Sequence, residues 1–406
     1  MRRRTLLALG GAVGGAAVPA AAALPGRSSR RTSWVHTWTA MPQLTEPNNV
    51  PPAPFATLAD TTLRQTVHLT LGGRQLRVRF SNAFGTGPLA LTAASVGRPI
   101  DGRAGVPAAS QIKPLTFGGR RSVVIPVGAQ IVSDPVALTA GAGANLTISA
   151  YLATGVSGDA VTGHPGSRTT SYLIKGDRTA ESDLPGSVPV DHWYLISAVE
   201  VRSDAPALAI VGDSLTDGRG STTNGNDRWP DQLLARGTRI AVLNQAAGGN
   251  RVLNDGLGPN VLARLDRDVL AVGGVDRMLL FEGVNDIGTA AATEEAQKQV
   301  VDDLLVAYEQ IVLRGHAAGL TVYGATLTPF GGNTGYDDPD GLRRRSRRTV
   351  NAALRHLFDD VADFAAAAQD PAAPEQLLPA YDTGDHLHLN PAGYAALARA
   401  VPRHWL

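Results

Sequence analysis

The chain has 406 residues, of which 43% are hydrophobic and 18% charged, with a formal net charge of +1 and no cysteine. This composition is typical of a globular protein with a sizeable core. The nearly balanced charge gives no reason to expect nucleic acid as a partner, and the lack of cysteine excludes disulfides, thiolate catalysis and cysteine-ligated metal sites.

Residues 1–28 are predicted to be an export signal. Arg2, Arg3 and Arg4 precede an apolar stretch that ends in small residues suitable for signal cleavage. The segment "RRRTLLALGG" also resembles a twin-arginine signal, so we expect a secreted, extracellular protein. An N-terminal membrane anchor is the alternative. No later run is apolar and long enough to span a bilayer, so no stable membrane insertion is expected.

Residues 33–202 are predicted to form an all-β accessory domain. Apolar residues alternate with polar ones in "LRQTVHLTL" (63–71) and again in "RQLRVRF" (74–80), and Gly72-Gly73 separates the two runs. This pattern predicts a β-hairpin. Further strand-like runs alternate with turn residues and no helical pattern is convincing, so we expect a sandwich or jelly-roll-like domain.

Residues 205–406 have a different pattern, in which short apolar runs alternate with helix-length segments. The runs are "ALAIV" (207–211), "RIAVL" (239–243), "DRMLLF" (276–281), "LTVYGATL" (320–327) and "DVADF" (360–364). This alternation predicts an α/β domain with a doubly wound parallel sheet. Ligands bind such sheets beyond the carboxyl ends of the strands.

Residues with catalytic potential follow four of these runs. They are Ser214 after the first run, Gly248 and Gly249 after the second, Asn285 after the third, and Asp385, His386 and His388 after the last. Ester hydrolysis uses a serine nucleophile, a histidine base and a carboxylate that fixes the imidazole tautomer. A glycine N–H and a neutral amide can stabilise the oxyanion of the tetrahedral intermediate. The three-residue spacing of Asp385 and His388 would place both on one side of a helical turn.

Four segments in this order resemble the conserved blocks of the SGNH, or GDSL, family of serine esterases and acylhydrolases. They are "GDSLTDG" (212–218), "NQAAGGN" (244–250), "GVNDIG" (283–288) and "DHLHLNPAGY" (385–394). The resemblance covers about residues 205–406 and implies a flavodoxin-like, three-layer hydrolase domain. The preceding β domain is similar to one found ahead of some exported bacterial members of the family.

The resemblance implies a role for each matching residue. Ser214 would be the nucleophile, His388 the base and Asp385 the residue that orients it. The N–H groups of Ser214 and Gly249 and the amide of Asn285 would form the oxyanion hole. No metal and no organic cofactor is implied.

Four neighbouring residues allow alternative readings. Asp213 and Asp286 are expected to brace loops rather than react, and Gly248 to be a turn residue. His386 is a rival for the base, although its spacing of one residue from Asp385 suits the role less well. The "HLH" at 386–388 imitates metal-ligand spacing without a third ligand.

The predicted function is a secreted carboxylic-ester hydrolase that acts through an acyl-enzyme on short acyl or acetyl esters of carbohydrates. An acetylated polysaccharide is the candidate partner, and a monomer is expected. A lipase or lysophospholipase, an acyltransferase to a sugar, and a catalytically inactive carbohydrate-binding protein are the alternatives.

Overall fold

The computed structural model describes residues 32–406 except Ser157 and Asp159, so the predicted export signal lies outside the described residues. An antiparallel β region comes first. Its strands are β1 (Ser33–Thr39), β2 (Gln43–Leu44), β3 (Thr61–His68), β4 (Gly73–Ser81), β5 (Leu89–Leu91), β6 (Ala93–Pro99), β7 (Ala109–Pro114), β8 (Val123–Ile125), β9 (Gln130–Val132), β10 (Val136–Ala140), β11 (Asn145–Leu152), β12 (Thr162–His164), β13 (Ser171–Lys175), β14 (Val188–Val190), β15 (Trp193–Tyr194) and β16 (Ile196–Ser203).

The two larger sheets of this region enclose one apolar core. One sheet has the order β1-β16-β4-β10, with β9 also paired to β4, and the other has the order β14-β13-β3-β11-β6-β7. Leu63 and Val67 of β3 share a buried cluster with Val78 and Phe80 of β4. The β region is therefore built from antiparallel sheets, as predicted, and its jelly-roll character stays a prediction.

The predicted hairpin around Gly72-Gly73 is wrong. β3 pairs with β11 and β13, whereas β4 pairs with β16, β10 and β9, so the two strands belong to different sheets. Both strands send alternate apolar residues into the same core from opposite sides. An alternating pattern identifies the buried face of a strand but not its partner, so the sequence could not separate these arrangements.

Residues 207–406 form the α/β region. Its strands are β17 (Ala207–Gly212), β18 (Ala241–Asn244), β19 (Val275–Phe281), β20 (Thr321–Ala325), β21 (Asp360–Ala362), β22 (Gln369–Asp370) and β23 (Ala373–Leu377). Its α-helices are α1 (Ser214–Asp217), α2 (Trp229–Gln232), α3 (Val261–Leu265), α4 (Val284–Thr289), α5 (Glu294–Ala317), α6 (Leu342–Leu357), α7 (Phe364–Ala368) and α8 (Pro391–Ala400).

The central sheet of the α/β region is parallel and has the order β18-β17-β19-β20-β21. Each of the five apolar runs predicted from the sequence overlaps one of these strands. The order is that of flavodoxin-like sheets. The helices contact one another in two groups, α5 with α6 and α8 with α2 and α7. Their placement on opposite faces, which a doubly wound arrangement requires, stays a prediction.

The β region and the α/β region pack directly against each other, and residues 32–406 form one compact unit. The N–H of His36 in β1 donates to the Gly273 carbonyl (3.0 Å), and the N–H of Val242 in β18 donates to the hydroxyl of Thr70 (3.0 Å). The division into domains at 202–205 stays a prediction. None of the helices within residues 32–406 has the length and apolar character needed to cross a bilayer.

Candidate active site

Ser214 follows the carboxyl end of β17, at the edge of the parallel sheet where a ligand is expected. Asp213 follows the last residue of the strand and caps α1, because its carboxylate accepts a hydrogen bond from the Leu215 N–H (2.8 Å). A Cβ on Gly212 would lie 2.4 Å from the Thr216 hydroxyl, so only glycine fits this close approach. The turn therefore fixes Ser214 as the first residue of α1, at the edge of the sheet.

His388 and Asp385 complete a hydrogen-bonded chain with Ser214. The Ser214 Oγ lies 2.8 Å from His388 Nε2, and His388 Nδ1 lies 2.6 Å from the Asp385 carboxylate. The predicted helical turn is wrong, because residues 385–388 lie in a loop. Asp385 instead accepts hydrogen bonds from the N–H groups of Leu387 (3.0 Å) and His388 (2.8 Å), which folds the histidine back onto the carboxylate.

The protonation states of this pair suit a base that is held by a carboxylate. Burial raises the pKa of Asp385, but the hydrogen bonds from the His388 backbone and imidazole outweigh burial and lower it to about 2. Burial lowers the pKa of His388, the contact with Asp385 opposes this, and the positive charges of Arg219 and Arg168 lower it further. At pH 7 His388 is therefore neutral, and its Nε2 can accept the serine proton.

Three hydrogen-bond donors predicted for an oxyanion hole line the same cavity as His388. Within the described residues, the N–H groups of Ser214 and Gly249 have no hydrogen-bond partner. Gly249 has a φ of 70°, which favours glycine, and a Cβ there would lie 2.4 Å from the Leu257 side chain. The Asn285 amide nitrogen donates one hydrogen to the Asn250 carbonyl (2.8 Å), which leaves its second hydrogen available.

Tyr336 orients the Asn285 amide, and the sequence analysis missed it. The Tyr336 hydroxyl donates a 2.6 Å hydrogen bond to Asn285 Oδ1, and the tyrosine also lines the cavity. Since the oxygen is held by Tyr336, the amide nitrogen must point the other way. Tyr336 lies 51 residues from its partner in a loop outside the four blocks, so no sequence signal identified it.

A buried His164–Asp217 pair links the β region to the second glycine block. His164 Nε2 lies 2.9 Å from Asp217 Oδ1, and His164 Nδ1 lies 3.0 Å from the Met41 carbonyl. Both ring nitrogens therefore lie within hydrogen-bond distance of an oxygen acceptor. Asp217 Oδ2 accepts from the Gly248 N–H (3.1 Å), so Gly248 is braced and is not a free donor. Asp217 is the final acid of the block "GDSLTDG", which is a signal that the sequence analysis did not use, and its partner His164 belongs to the β region.

Three carboxyl groups are buried beneath the site. Burial raises the pKa of Asp213 to about 7, and the nearby carboxylates of Asp286 and Asp217 act in the same direction. Burial also raises the pKa of Glu282 well above its usual range. Asp286 accepts hydrogen bonds from the N–H groups of residues 252 (2.9 Å) and 253 (3.0 Å), which makes it the loop brace expected from the sequence.

The candidate nucleophile opens into a cavity of about 570 Å³ that both regions line. Pro165, Leu257 and Leu387 are the apolar residues other than glycine that line it, so most of the lining residues carry polar groups. The β region contributes Gln43, Glu46, Asn48, Asn49, Arg168 and His192, among others. Sequence analysis assigned none of these residues to the site, because their proximity depends on how the two regions pack.

The alternative histidine is placed elsewhere. His386 is about half exposed, and its Nδ1 lies 2.7 Å from the Asp382 carboxylate. It therefore does not replace His388 beside Ser214. Across the described residues, no group of three or more His, Asp or Glu side chains is arranged to hold a metal ion.

Residues 210–396 match the GDSL-like lipase/acylhydrolase family. Three solved structures each cover 48% of this chain: a protein assigned to the lipolytic G-D-S-L family from Desulfitobacterium hafniense (20% identity, 96% of that chain, TM-score 0.36), an acetyl xylan esterase (19%, 96%, 0.36) and a catalytic mutant of an acetylxylan esterase from Geobacillus stearothermophilus (22%, 91%, 0.36). No curated protein sequence matches the chain.

Proposed function

We propose that the chain, whose residues 210–396 match the GDSL-like lipase/acylhydrolase family, is an ester hydrolase that works through an acyl-enzyme on Ser214. One observation carries the proposal: Ser214 Oγ, His388 and Asp385 form a continuous hydrogen-bonded chain with distances of 2.8 and 2.6 Å. This is the arrangement that a serine needs to become a nucleophile.

In the proposed first step, Ser214 Oγ attacks the ester carbonyl and its proton passes to His388 Nε2. The negative oxygen of the tetrahedral intermediate accepts hydrogen bonds from the N–H groups of Ser214 and Gly249 and from the Asn285 amide. His388 then gives its proton to the leaving alcohol, and Asp385 stabilises the imidazolium between the two transfers. Water then attacks the acyl-enzyme while His388 takes one of its protons, and His388 returns that proton to Ser214 Oγ as the bond to the acyl group breaks and the acid is released.

The polar groups of the cavity lining support short acyl or acetyl esters of carbohydrates as the substrate class. A long acyl chain is stabilised by burying apolar side chains, at about 25 cal/mol per Å², and Pro165, Leu257 and Leu387 are the apolar side chains among the lining residues. Carbohydrate hydroxyls, in contrast, can form hydrogen bonds with side chains such as Asn48 and Asn49.

We also propose that residues 1–28 direct export of the protein. Mass spectrometry of the protein recovered from culture medium, which gives its N-terminus, tests that point.

Ser214→Ala tests the mechanism. The variant should keep the fold by circular dichroism but lose hydrolysis of p-nitrophenyl acetate and labelling by a fluorophosphonate. Unchanged hydrolysis by the variant would remove Ser214 from the mechanism. Failure of the native chain to label would favour a catalytically inactive binding protein.

An acyl-chain series tests the substrate class. We expect kcat/KM to fall from p-nitrophenyl acetate to the octanoate and palmitate, and acetate to be released from acetylated xylan. A rate that rises with chain length would favour a lipase instead.

A further inference from the structure

Two guanidinium groups line the cavity that contains Ser214 and His388. Arg168 comes from the β region and Arg219 follows α1. Neither side chain makes a salt bridge or hydrogen bond with any described residue, and the Nε of Arg168 is buried without a partner. Burying the Nε of Arg168 without a partner is costly, and a bond to an anionic ligand group would offset that cost.

The acids of the same cavity form no salt bridge with Arg168 or Arg219 in the described part of the chain. Both oxygens of Glu46 accept hydrogen bonds, from Gln43 Nε2 (2.5 Å) and Asn49 Nδ2 (3.0 Å). Both oxygens of Asp217 are likewise bonded, to His164 and to the Gly248 N–H. The carboxylates of Glu46 and Asp217 are therefore directed to other partners, and neither arginine is paired with an acid among the described residues.

The backbone holds both arginines in place although their side chains are unpaired. Arg168 has a φ of 51°, a strained conformation for a non-glycine residue, and its carbonyl accepts from the Asn224 N–H (2.9 Å). The Arg219 N–H donates to the Ser214 carbonyl (2.9 Å), and its carbonyl accepts from the Tyr394 hydroxyl (2.5 Å). Such strain persists only where the surroundings enforce it, and it often marks ligand contacts.

We propose that Arg168 and Arg219 form a subsite for an anionic group, a carboxylate carried by the ester substrate next to the scissile bond. Guanidinium groups bind carboxylates through paired, charge-assisted hydrogen bonds. The carboxylate can belong to the alcohol, as in a uronic acid, or to the acid, as in a half-ester of a dicarboxylic acid. The inference rests on the proposed ester hydrolysis and adds a charge requirement to it.

Matched ester pairs test the subsite and distinguish the two sources of the carboxylate. For the alcohol side the pair is 3-acetoxybenzoate and its methyl ester. For the acyl side the pair is mono-4-nitrophenyl adipate and 4-nitrophenyl hexanoate. We expect the native enzyme to favour the charged member of at least one pair by about 10- to 100-fold in kcat/KM at low salt, and less at high salt.

Two variants should reduce this preference. Arg168→Asn removes the positive charge and places at this position a residue that tolerates a positive φ. Arg219→Gln changes an exposed side chain. If one of these variants fails to fold, the other variant still tests the subsite. Each should lower the ratio of charged to neutral kcat/KM by at least about tenfold. Arg74→Gln, at an exposed position on β4 away from the cavity, is the control and should keep the native ratio.

Calorimetry on the Ser214→Ala protein separates this inference from the proposed function, because binding of uncleaved esters needs no turnover. Tighter binding of a charged ester, lost on adding Arg168→Asn or Arg219→Gln, supports the subsite. Equal binding of charged and neutral members in both pairs overturns the subsite, even if the native enzyme cleaves all four esters. Binding without Ser214-dependent cleavage by the native chain overturns the proposed function and leaves the subsite standing.

Discussion

Removing the His164 imidazole should destabilise the protein and slow catalysis. The side chain is buried, and truncation leaves Asp217, which is 1% exposed, with the Gly248 N–H as its remaining hydrogen-bond partner. Removing one partner of a buried hydrogen-bonded group costs about 1–3 kcal/mol, and more where the remaining group is charged. Asp217 lies at the cavity wall, where water can reach it after truncation, so we expect a loss of about 3 kcal/mol.

The same change should loosen the segment that carries Gly249. Loss of an oxyanion donor lowers kcat by about 10²- to 10³-fold, and a donor that is loosened rather than removed should cost about tenfold. KM should change less, since the donors act mainly in the transition state.

Thermal unfolding and p-nitrophenyl acetate kinetics measure both effects for His164→Ala. A loss of about 3 kcal/mol should lower the Tm by roughly 5 °C. The double variant with Asp217→Asn should lose less than the sum of the single changes, since the two side chains are in contact. His356→Ala, an exposed histidine on α6, should have no effect. An unaltered Tm and kcat for His164→Ala would refute the reasoning.

Two further predictions concern the base and the oxyanion amide. Arg168→Asn should raise the pKa of His388, because a nearby positive charge is removed. The acidic limb of the kcat/KM–pH profile should then move to higher pH. An acidic limb that stays in place or moves to lower pH would contradict this prediction. Tyr336→Phe should lower kcat about tenfold with little change in KM, because the Asn285 amide loses the hydrogen bond that fixes its orientation. If Asn285→Ala and the double variant Tyr336→Phe/Asn285→Ala lose equal amounts of kcat, Tyr336 and Asn285 act through the same oxyanion donor.

The sequence predicted those parts of the molecule whose signals are local. β17 and β19 are short apolar runs, and the motif residues Ser214, Asn285 and His388 follow strands or lie in a recognisable block. The contact between Asp385 and His388 was also predictable from their spacing, although a carboxylate-capped loop produces it rather than a helix.

Features that depend on tertiary packing were not predictable. The alternation in β3 and β4 marks buried faces, but the partners of these strands are chosen across the whole β region. Arg168 reaches the cavity only because the β region packs on the α/β region. Single polar residues such as His164 and Tyr336 have no periodic pattern, so their roles become visible only with their partners.

The shared cavity wall has a consequence for how this enzyme could diversify. The candidate catalytic residues Ser214 and His388 belong to the α/β region, whereas the segments around residues 43–49 and 165–168 belong to the β region. Part of the cavity wall is thus encoded in a different stretch of the gene from the proposed nucleophile and base. Exchange of the two β-region segments is therefore a route to a changed ester preference that leaves Ser214 and His388 untouched.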